Sequence, residues 1–209
     1  MIVNLDRHKE LLHQDEREKT ERVCKEVQET AAYARNMLRN VYMVSIIEQL
    51  LSREIVGVST QYLFKEAGSR YADQAWQPHQ DNFYPKNENG LYITSNIFLE
   101  DSDRENGTVY IYEGSHQAGL LPAEPRVSYR EKIGSNPGSL VKIPDEYRDR
   151  KKDIIIPKGS VLFLHGNAIH GSYSNTSDRS RPWFSGCYIP KGEKYIIGAN
   201  AKRQEIHLY

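Results

Sequence analysis

The side chains with the clearest potential for chemistry lie in segment 76–84, which contains His79-Gln80-Asp81. Residues i and i+2 of an extended strand project from the same face, so His79 and Asp81 could bind one metal ion together. A third ligand must come from elsewhere, and the best candidate is His170 in the histidine-rich and glycine-containing segment 164–172. The sequence therefore predicts a metal site formed by two histidines and one carboxylate.

A second His-x-Asp copy, His13-Gln14-Asp15, tests how specific this pattern is. It lies in the charged run 11–19, whose composition is typical of a helix. Side chains two apart on a helix point about 200° from each other and cannot share one ion. We therefore interpret His13 as a surface histidine.

The alternative for His79 is a partly buried structural histidine at the end of a strand. The aromatic pair Phe83-Tyr84 and the later histidine segment favour the metal site instead. Two histidines and one carboxylate on one face of an ion, with open positions opposite, are typical of non-haem Fe(II) oxygenases.

Composition limits the classes of protein to which the chain can belong. Its 209 residues are enough for one domain, predicted here over 1–209, with a hydrophobic core. Lys and Arg number 28, as do Asp and Glu, so the basic excess typical of nucleic-acid binders is absent. No apolar run reaches transmembrane length, and no signal peptide begins the sequence, so no membrane association is expected. Cys24 and Cys187 form no motif, which predicts a reduced, cytoplasmic setting.

The N-terminal region is predicted to be helical. Residues 1–40 are rich in charge and helix formers, and the spacing of Val23, Val27 and Ala31 predicts a helix. Segment 42–51 predicts a buried helix packed on a sheet.

The rest of the chain is predicted to be mainly β. Strand signals occur at 55–65, 91–99, 108–112, 153–156, 160–165, 183–190 and 194–197. Many strands with few helices favour a β-sandwich or barrel with helices on one side.

The irregular, proline-interrupted segment 117–152 predicts a lid or rim near the site. Asn96, a polar amide in an apolar strand, is either a satisfied structural amide or a ligand contact.

Three motifs, in order, resemble those of the phytanoyl-CoA dioxygenase family of Fe(II)/2-oxoglutarate oxygenases. The similarity covers about residues 42–190. The first motif is His79-Gln80-Asp81 with its flanking Trp76 and Tyr84. The second runs from Asn106-Gly107-Thr108 to Glu113-Gly114-Ser115-His116, with Glu113 where the family usually has proline. The third is His170-Gly171-Ser172 with Asn175 and Arg181.

The resemblance implies a double-stranded β-helix, or cupin-like jelly roll, with flanking helices and a metal at one open end. It implies that the iron ligands are His79, Asp81 and His170. It further implies that Arg181, rather than its neighbour Arg179 on a surface turn, binds the distal carboxylate of 2-oxoglutarate. A guanidinium fork suits a carboxylate bidentately.

Other residues also match positions that contact the co-substrate in the family. Ser172 matches a hydroxyl that supports the same carboxylate, and further contacts are implied for Gln61, Asn96 and Lys65.

The resemblance implies Fe(II), 2-oxoglutarate and O2 as cofactor and co-substrates, and a small molecule as substrate. The implied reaction is hydroxylation coupled to conversion of 2-oxoglutarate to succinate and CO2. Asp81 favours hydroxylation, because related halogenases lack this carboxylate. Two alternatives are a non-catalytic jelly-roll binding protein and a zinc hydrolase with the same ligands. Arg181 and Ser172 argue against the first, and a buried arginine has no use in the second.

Overall fold

The computed structural model describes residues 23–68, 75–124, 140–198 and 201–209, and its framework is two antiparallel sheets packed face to face. Phe98 and Trp183 of the larger sheet pack on Val109 of the smaller one, with their rings 5.1 Å apart in an edge contact. This sheet-on-sheet core is that of a jelly roll, as the sequence predicts.

The larger sheet has five strands in the order β1-β2-β11-β4-β9. Their bounds are β1 Val23–Lys25, β2 Ile55–Leu63, β4 Ile93–Phe98, β9 Val161–His165 and β11 Trp183–Pro190. Strand β11 lies in the middle and pairs along most of its length with β2 on one side and β4 on the other.

The smaller sheet has four strands in the order β3-β10-β5-β8. Their bounds are β3 Trp76–His79, β5 Val109–Tyr112, β8 Lys151–Asp153 and β10 His170–Ser172. A separate two-stranded ribbon is formed by β6 (Ala123–Glu124) and β7 (Leu140–Val141).

Alternation along the central strands separates an apolar outer face from a polar inner row. Tyr62, Phe184 and Ile97 are in register and pack with Val27 and Ala34 of the helices. Successive strand residues point to opposite sides of a sheet. The neighbours of these three residues therefore lie on the inner face, where Gln61, Ser185 and Asn96 form a polar row in register.

Three helices cover the outer face: α1 Val27–Thr30, α2 Ala32–Leu38 and α3 Val41–Leu51. Asn40 caps α3 by accepting hydrogen bonds from the backbone N–H groups of Tyr42 and Met43. Only one side of α3 is buried, through Val44 and Ile47. The opposite side is exposed, so the prediction of a buried helix is correct for one face only.

The single helix predicted through Val23, Val27 and Ala31 is wrong. Val23–Lys25 pairs with β2, and Glu26 has a left-handed backbone (φ 56°) that separates this strand from α1. Local spacing was helical, but the open edge of β2 offered hydrogen bonds that the short segment could use. His13 lies outside the described residues.

Two predicted strands are also misplaced. Residues 194–197 form no strand; the Ile196 N–H instead donates to the Pro85 carbonyl, and both Ile196 and Ile197 are exposed. The strand predicted at 153–156 lies mostly earlier, at Lys151–Asp153, and shares only Asp153 with the prediction. In the part of the chain that the structure describes, no helix has the length and apolar character needed to cross a membrane.

Candidate metal centre

Strand pairing brings the two candidate histidines together. His79, the last residue of β3, is the direct antiparallel partner of His170, the first residue of β10. Cross-strand partners have neighbouring side chains, and here the ring centroids are 4.3 Å apart. Two residues that are 91 positions apart in the sequence are therefore neighbours in the sheet.

Asp81 completes the group from just outside the strand. Gln80 keeps an extended backbone (φ −123°, ψ 127°), and Asp81 begins the 3-10 turn Asp81–Phe83. The Asp81 Oδ1 atom lies 3.7 Å from the Nε2 atoms of both His79 and His170. One ligand atom from each residue lies within 4.8 Å of the others, a spacing that could hold a metal ion. The geometry fits the three ligands predicted from the sequence.

Hydrogen bonds orient both imidazoles for metal binding through Nε2. The Nδ1 atom of His79 lies 2.8 Å from the Gln77 carbonyl oxygen, and that of His170 lies 3.0 Å from the Ala168 carbonyl oxygen. A carbonyl only accepts, so each neutral ring carries its proton on Nδ1 and has its lone pair on Nε2, facing Asp81.

The environment of His79 also favours the neutral form that binds metals. Burial and, to a smaller extent, the charge of His170 lower the pKa of His79 to about 4, against the opposing effects of Asp81 and the Gln77 carbonyl. Metal binding does not then require displacement of a proton near neutral pH.

Gln80, between the two ligands, holds the surrounding loops. Its side-chain amide donates to the carbonyl oxygens of Gly119 (2.7 Å) and Asn167 (2.6 Å) and accepts from the Leu121 N–H (2.8 Å). The motif contains this residue, but the sequence assigns it no role. A fully hydrogen-bonded buried amide restrains the backbone on which His79 and Asp81 lie.

Two buried cations lie beyond the metal ligands. Arg181 is buried, and its Nε and Nη1 atoms have no hydrogen-bond partner among the described residues. Lys65 is also buried, and its ammonium donates to Ser172 Oγ (2.8 Å) and to the Tyr173 carbonyl oxygen. Neither forms an ion pair with a carboxylate in the described ranges, where the ion pairs involve other cations.

The pKa values show how unfavourable this arrangement is without an anion. Burial lowers the pKa of Arg181 to about 9. Burial also holds the pKa of Lys65 well below its usual range, and the nearby Arg181 lowers it further. Buried charges are normally paired, so these two groups have the character of an anion site. We call Lys65, Ser172 and Arg181 the anion cradle.

The anion cradle is fixed to the metal ligands by the backbone. Ser172 lies two residues after His170 on β10, on the same face of the strand. The Arg181 N–H donates to the Lys65 carbonyl oxygen (3.1 Å), and the Asn175 amide donates to the same oxygen (3.0 Å). The Arg181 guanidinium also lies 4.4 Å from the centre of the Trp183 ring.

Arg179 has a different environment from that of Arg181. It is exposed, and its guanidinium pairs with Asp103 at 2.8 Å. Its cation is therefore already matched by an acid at the surface.

Gln61 and Asn96, the other predicted co-substrate contacts, are considered by whether hydrogen bonds within the protein already satisfy their side-chain amides. Gln61 is half-buried on the inner row. Asn96 donates to Thr94 Oγ1 (2.9 Å) and the Leu162 carbonyl oxygen (3.2 Å), and accepts from Ser185. Its environment fits the structural-amide alternative, and co-substrate contact by Gln61 and Asn96 stays a prediction.

Glycine at position 171 allows the ligand strand to approach its neighbours. A Cβ atom there would lie 2.3 Å from the Tyr110 hydroxyl and 2.4 Å from the Trp76 carbonyl oxygen. We expect Gly171→Ala to destabilise the protein by about 1–3 kcal/mol, the usual effect of overpacking, because the Trp76 backbone must shift. Thermal unfolding would measure the loss, and Ser45→Ala on the exposed side of α3 is the control. An unchanged unfolding midpoint in Gly171→Ala would contradict this close approach.

Comparisons with known proteins identify relatives of this chain. The family model Phytanoyl-CoA dioxygenase (PhyH) matches residues 4–183. The chain is 31% identical over 147 residues to the phytanoyl-CoA dioxygenase of Arabidopsis thaliana, a match covering 68% of this chain and 47% of that protein. It is 26% identical over 174 residues to the L-proline trans-4-hydroxylase of Streptomyces griseoviridis, covering 76% of this chain and 62% of that protein. The chain thus spans less than two thirds of either relative.

Among solved structures, the epimerase SnoN in complex with Fe3+, alpha ketoglutarate and nogalamycin RO has a similar fold. The TM-score is 0.65 at 17% identity, covering 87% of this chain and 72% of that one. This likeness supports the cupin-like jelly roll predicted from the sequence. Since the family model matches most of the sequence, the chain belongs to the phytanoyl-CoA dioxygenase (PhyH) family.

Proposed function

We propose that this protein is an Fe(II)- and 2-oxoglutarate-dependent dioxygenase that hydroxylates a small molecule. The observation that carries the proposal is the position of the anion cradle beside the metal ligands. His170 and Ser172 lie on the same face of β10, so one short strand contributes to both sites. A ligand with a metal-binding end and a distant carboxylate fits this arrangement.

The three candidate ligands suit ferrous iron. His79 and His170 would bind through Nε2 and Asp81 through a carboxylate oxygen. A facial set of two histidines and one carboxylate keeps positions open and is typical of non-haem Fe(II) oxygenases. When bound, the iron would supply the O2-dependent conversion of 2-oxoglutarate to succinate and CO2 that is coupled to hydroxylation.

The anion cradle suits the distal carboxylate of 2-oxoglutarate. The Arg181 guanidinium can donate two parallel hydrogen bonds to a carboxylate, and Lys65 and Ser172 offer further polar contacts. An incoming carboxylate would also compensate the burial of two cations. Phe98 and Trp183 form an apolar wall near Arg181, and the exclusion of water there strengthens the charge interaction.

The substrate is not indicated by the relatives' names, since one names phytanoyl-CoA and another L-proline. The predicted lid includes the 3-10 turn Asp145–Arg150 and the ribbon of β6 and β7, and part of it lies outside the described residues. Its covering role stays a prediction.

The proposal is tested by supplying the purified protein with Fe(II), 2-oxoglutarate and O2 and measuring succinate. We expect succinate with Fe(II) and none when Zn(II) replaces it, because zinc has no redox chemistry. A zinc hydrolase would instead show zinc-dependent hydrolysis, and a pure binding protein would release no succinate. Absence of Fe(II)-dependent succinate across a broad metabolite panel would remove the proposal.

Asp81→Ala is expected to abolish succinate formation while leaving the fold intact. The Asp81 side chain is 25% exposed and its contacts are with the two histidines, so its loss should not open the core. Circular dichroism would check the fold and the succinate assay the activity. The control is Asp178→Ala, which removes an exposed carboxylate from the turn before Arg181. Full activity in Asp81→Ala would exclude this residue as a metal ligand.

A further inference from the structure

Trp183, the first residue of β11, lies against the arginine of the anion cradle. Its partners across the sheet are Leu63 of β2 and Phe98 of β4. Arg181 precedes it by two residues, and the intervening Pro182 favours an extended backbone at Arg181. Side chains two apart on an extended chain project from the same side. The contact between the two side chains agrees with this, because the guanidinium lies 4.4 Å from the centre of the Trp183 ring.

The indole N–H of Trp183 is a buried donor without an acceptor. Trp183 is 9% exposed, and its Nε1 atom has no hydrogen-bond partner in the part of the chain that the structure describes. Buried polar groups are normally hydrogen-bonded, so such a group needs an explanation. The groups that pack on the ring are apolar side chains and the Arg181 guanidinium, and none of these accepts a hydrogen bond.

Arg181 lacks acceptors in the same place. Its Nε and Nη1 atoms are also buried and have no partner among the described residues. An indole and a guanidinium are both donors only, so neither side chain can satisfy the other. A water molecule could accept from Trp183, but it would not compensate the buried charges of Arg181 and Lys65. An anion would accept hydrogen bonds from both side chains and compensate the charges as well.

Packing also places the Trp183 ring beside the strand pair that carries the metal ligand His170. Val109 packs with Trp183, and Ile111 packs against the same cluster. Val109 is the cross-strand partner of Ser172, and Ile111 is that of His170. The ring therefore lies between the two sheets, next to residues whose partners belong to the anion cradle and to the metal group.

We propose that the Trp183 indole N–H donates a hydrogen bond to the distal carboxylate of 2-oxoglutarate, beside the three residues of the anion cradle. This inference rests on the proposed function and adds a residue that selects the co-substrate. Hydrogen bonds to a charged acceptor are stronger than those between neutral groups. A 2-oxo acid that ends in a methyl group would leave the indole N–H and the guanidinium unpaired, and a site of this kind discriminates strongly against such a ligand.

The first test compares two ligands on the Zn(II)-loaded protein by calorimetry, without catalysis. 2-Oxopentanoate has the chain length of 2-oxoglutarate but ends in a methyl group. Trp183→Phe keeps a ring against Arg181 and removes the N–H. We expect this variant to bind 2-oxoglutarate roughly 10-fold to 100-fold more weakly than the wild type does, the usual effect of a hydrogen bond to a charged group. Its affinity for 2-oxopentanoate should match that of the wild type.

Trp76→Phe is the matched control, because it makes the same substitution at the other tryptophan of the chain. The Trp76 ring lies 5.8 Å from the ring of the metal ligand His79. This variant should keep the wild-type ratio of the two affinities, even if both affinities change. The same ratio in Trp183→Phe as in the wild type would overturn the inference.

A second measurement observes the hydrogen bond directly and does not require Trp183→Phe to fold. The chain has two tryptophans, so nuclear magnetic resonance of the ¹⁵N-labelled protein gives two indole N–H signals. The signal that remains in Trp76→Phe belongs to Trp183. We expect 2-oxoglutarate, and not 2-oxopentanoate, to move the Trp183 proton signal downfield in the Zn(II)-loaded wild type. A Trp183 signal that does not move at saturating 2-oxoglutarate would show that the N–H does not bind the carboxylate.

Failure of this inference can be distinguished from failure of the proposed function. If 2-oxoglutarate binds to the wild type but the Trp183 signal does not move, the co-substrate stands and Trp183 has no part in binding it. If the Zn(II)-loaded wild type does not bind 2-oxoglutarate, the proposed co-substrate is wrong and the inference about Trp183 fails with it.

Discussion

His170→Ala is expected to abolish stoichiometric Fe(II) binding and Fe(II)-dependent succinate formation together. The three ligand atoms lie within 4.8 Å of one another, and removing one leaves a bidentate site open to water. Loss of an outer-shell partner of a metal ligand typically costs about 10–100-fold in affinity, and loss of the ligand itself should exceed that. Anaerobic titration with Fe(II), followed by metal analysis of the desalted protein, would measure the effect. His79→Ala should behave in the same way.

Two histidines outside the group serve as controls. His116 packs against His165, with ring centroids 5.2 Å apart, and is not among the candidate ligands in the described residues. His13 belongs to the second His-x-Asp copy, which we interpret as a surface pair. Alanine at either position should leave Fe(II) binding unchanged. Retained binding in His79→Ala with lost binding in His13→Ala would show that the wrong copy was chosen.

The pairing of His79 with Asp81 could be predicted because it depends only on the backbone of one short segment. An extended backbone places side chains i and i+2 on one face, and the backbone stays extended from His79 through Gln80. His170 was selected from the composition of segment 164–172 and from the order of the motifs. Its register opposite His79 depends on the pairing of β3 with β10, which local sequence does not specify.

The errors arise where non-local hydrogen bonds outweighed local pattern. Val23–Lys25 has helical spacing with the residues that follow it, yet it pairs with the edge of β2. Residues 194–197 have strand-forming side chains, yet the Ile196 N–H donates to the Pro85 carbonyl in a loop contact. Tertiary context commonly overrides propensity in such short segments.

Arg181→Ala is expected to weaken 2-oxoglutarate binding by roughly 30-fold to several thousand-fold. Truncating one partner of a buried charge pair costs about 2–5 kcal/mol, and each 1.4 kcal/mol corresponds to a tenfold change. The effect should lie at the large end because the guanidinium is buried and burial lowers its pKa to about 9, so its charge is stabilised strongly by an anion. Fe(II) affinity should barely change, since Arg181 is not among the candidate ligands.

Arg179→Ala is the matched control, because it removes the same functional group two residues away. Arg179 is exposed and already pairs with Asp103, and surface ion pairs contribute only about 0–1 kcal/mol. We therefore expect less than about a fivefold change in 2-oxoglutarate affinity for this variant. Titration of 2-oxoglutarate into the Fe(II)-loaded variants under nitrogen, following the metal-to-ligand absorption band, separates the two. The opposite result would be unchanged affinity in Arg181→Ala with a large loss in Arg179→Ala. It would place the residue that binds the carboxylate at the surface turn, where Asp103 must first release the Arg179 guanidinium. The buried charges of Lys65 and Arg181 would then have no ligand.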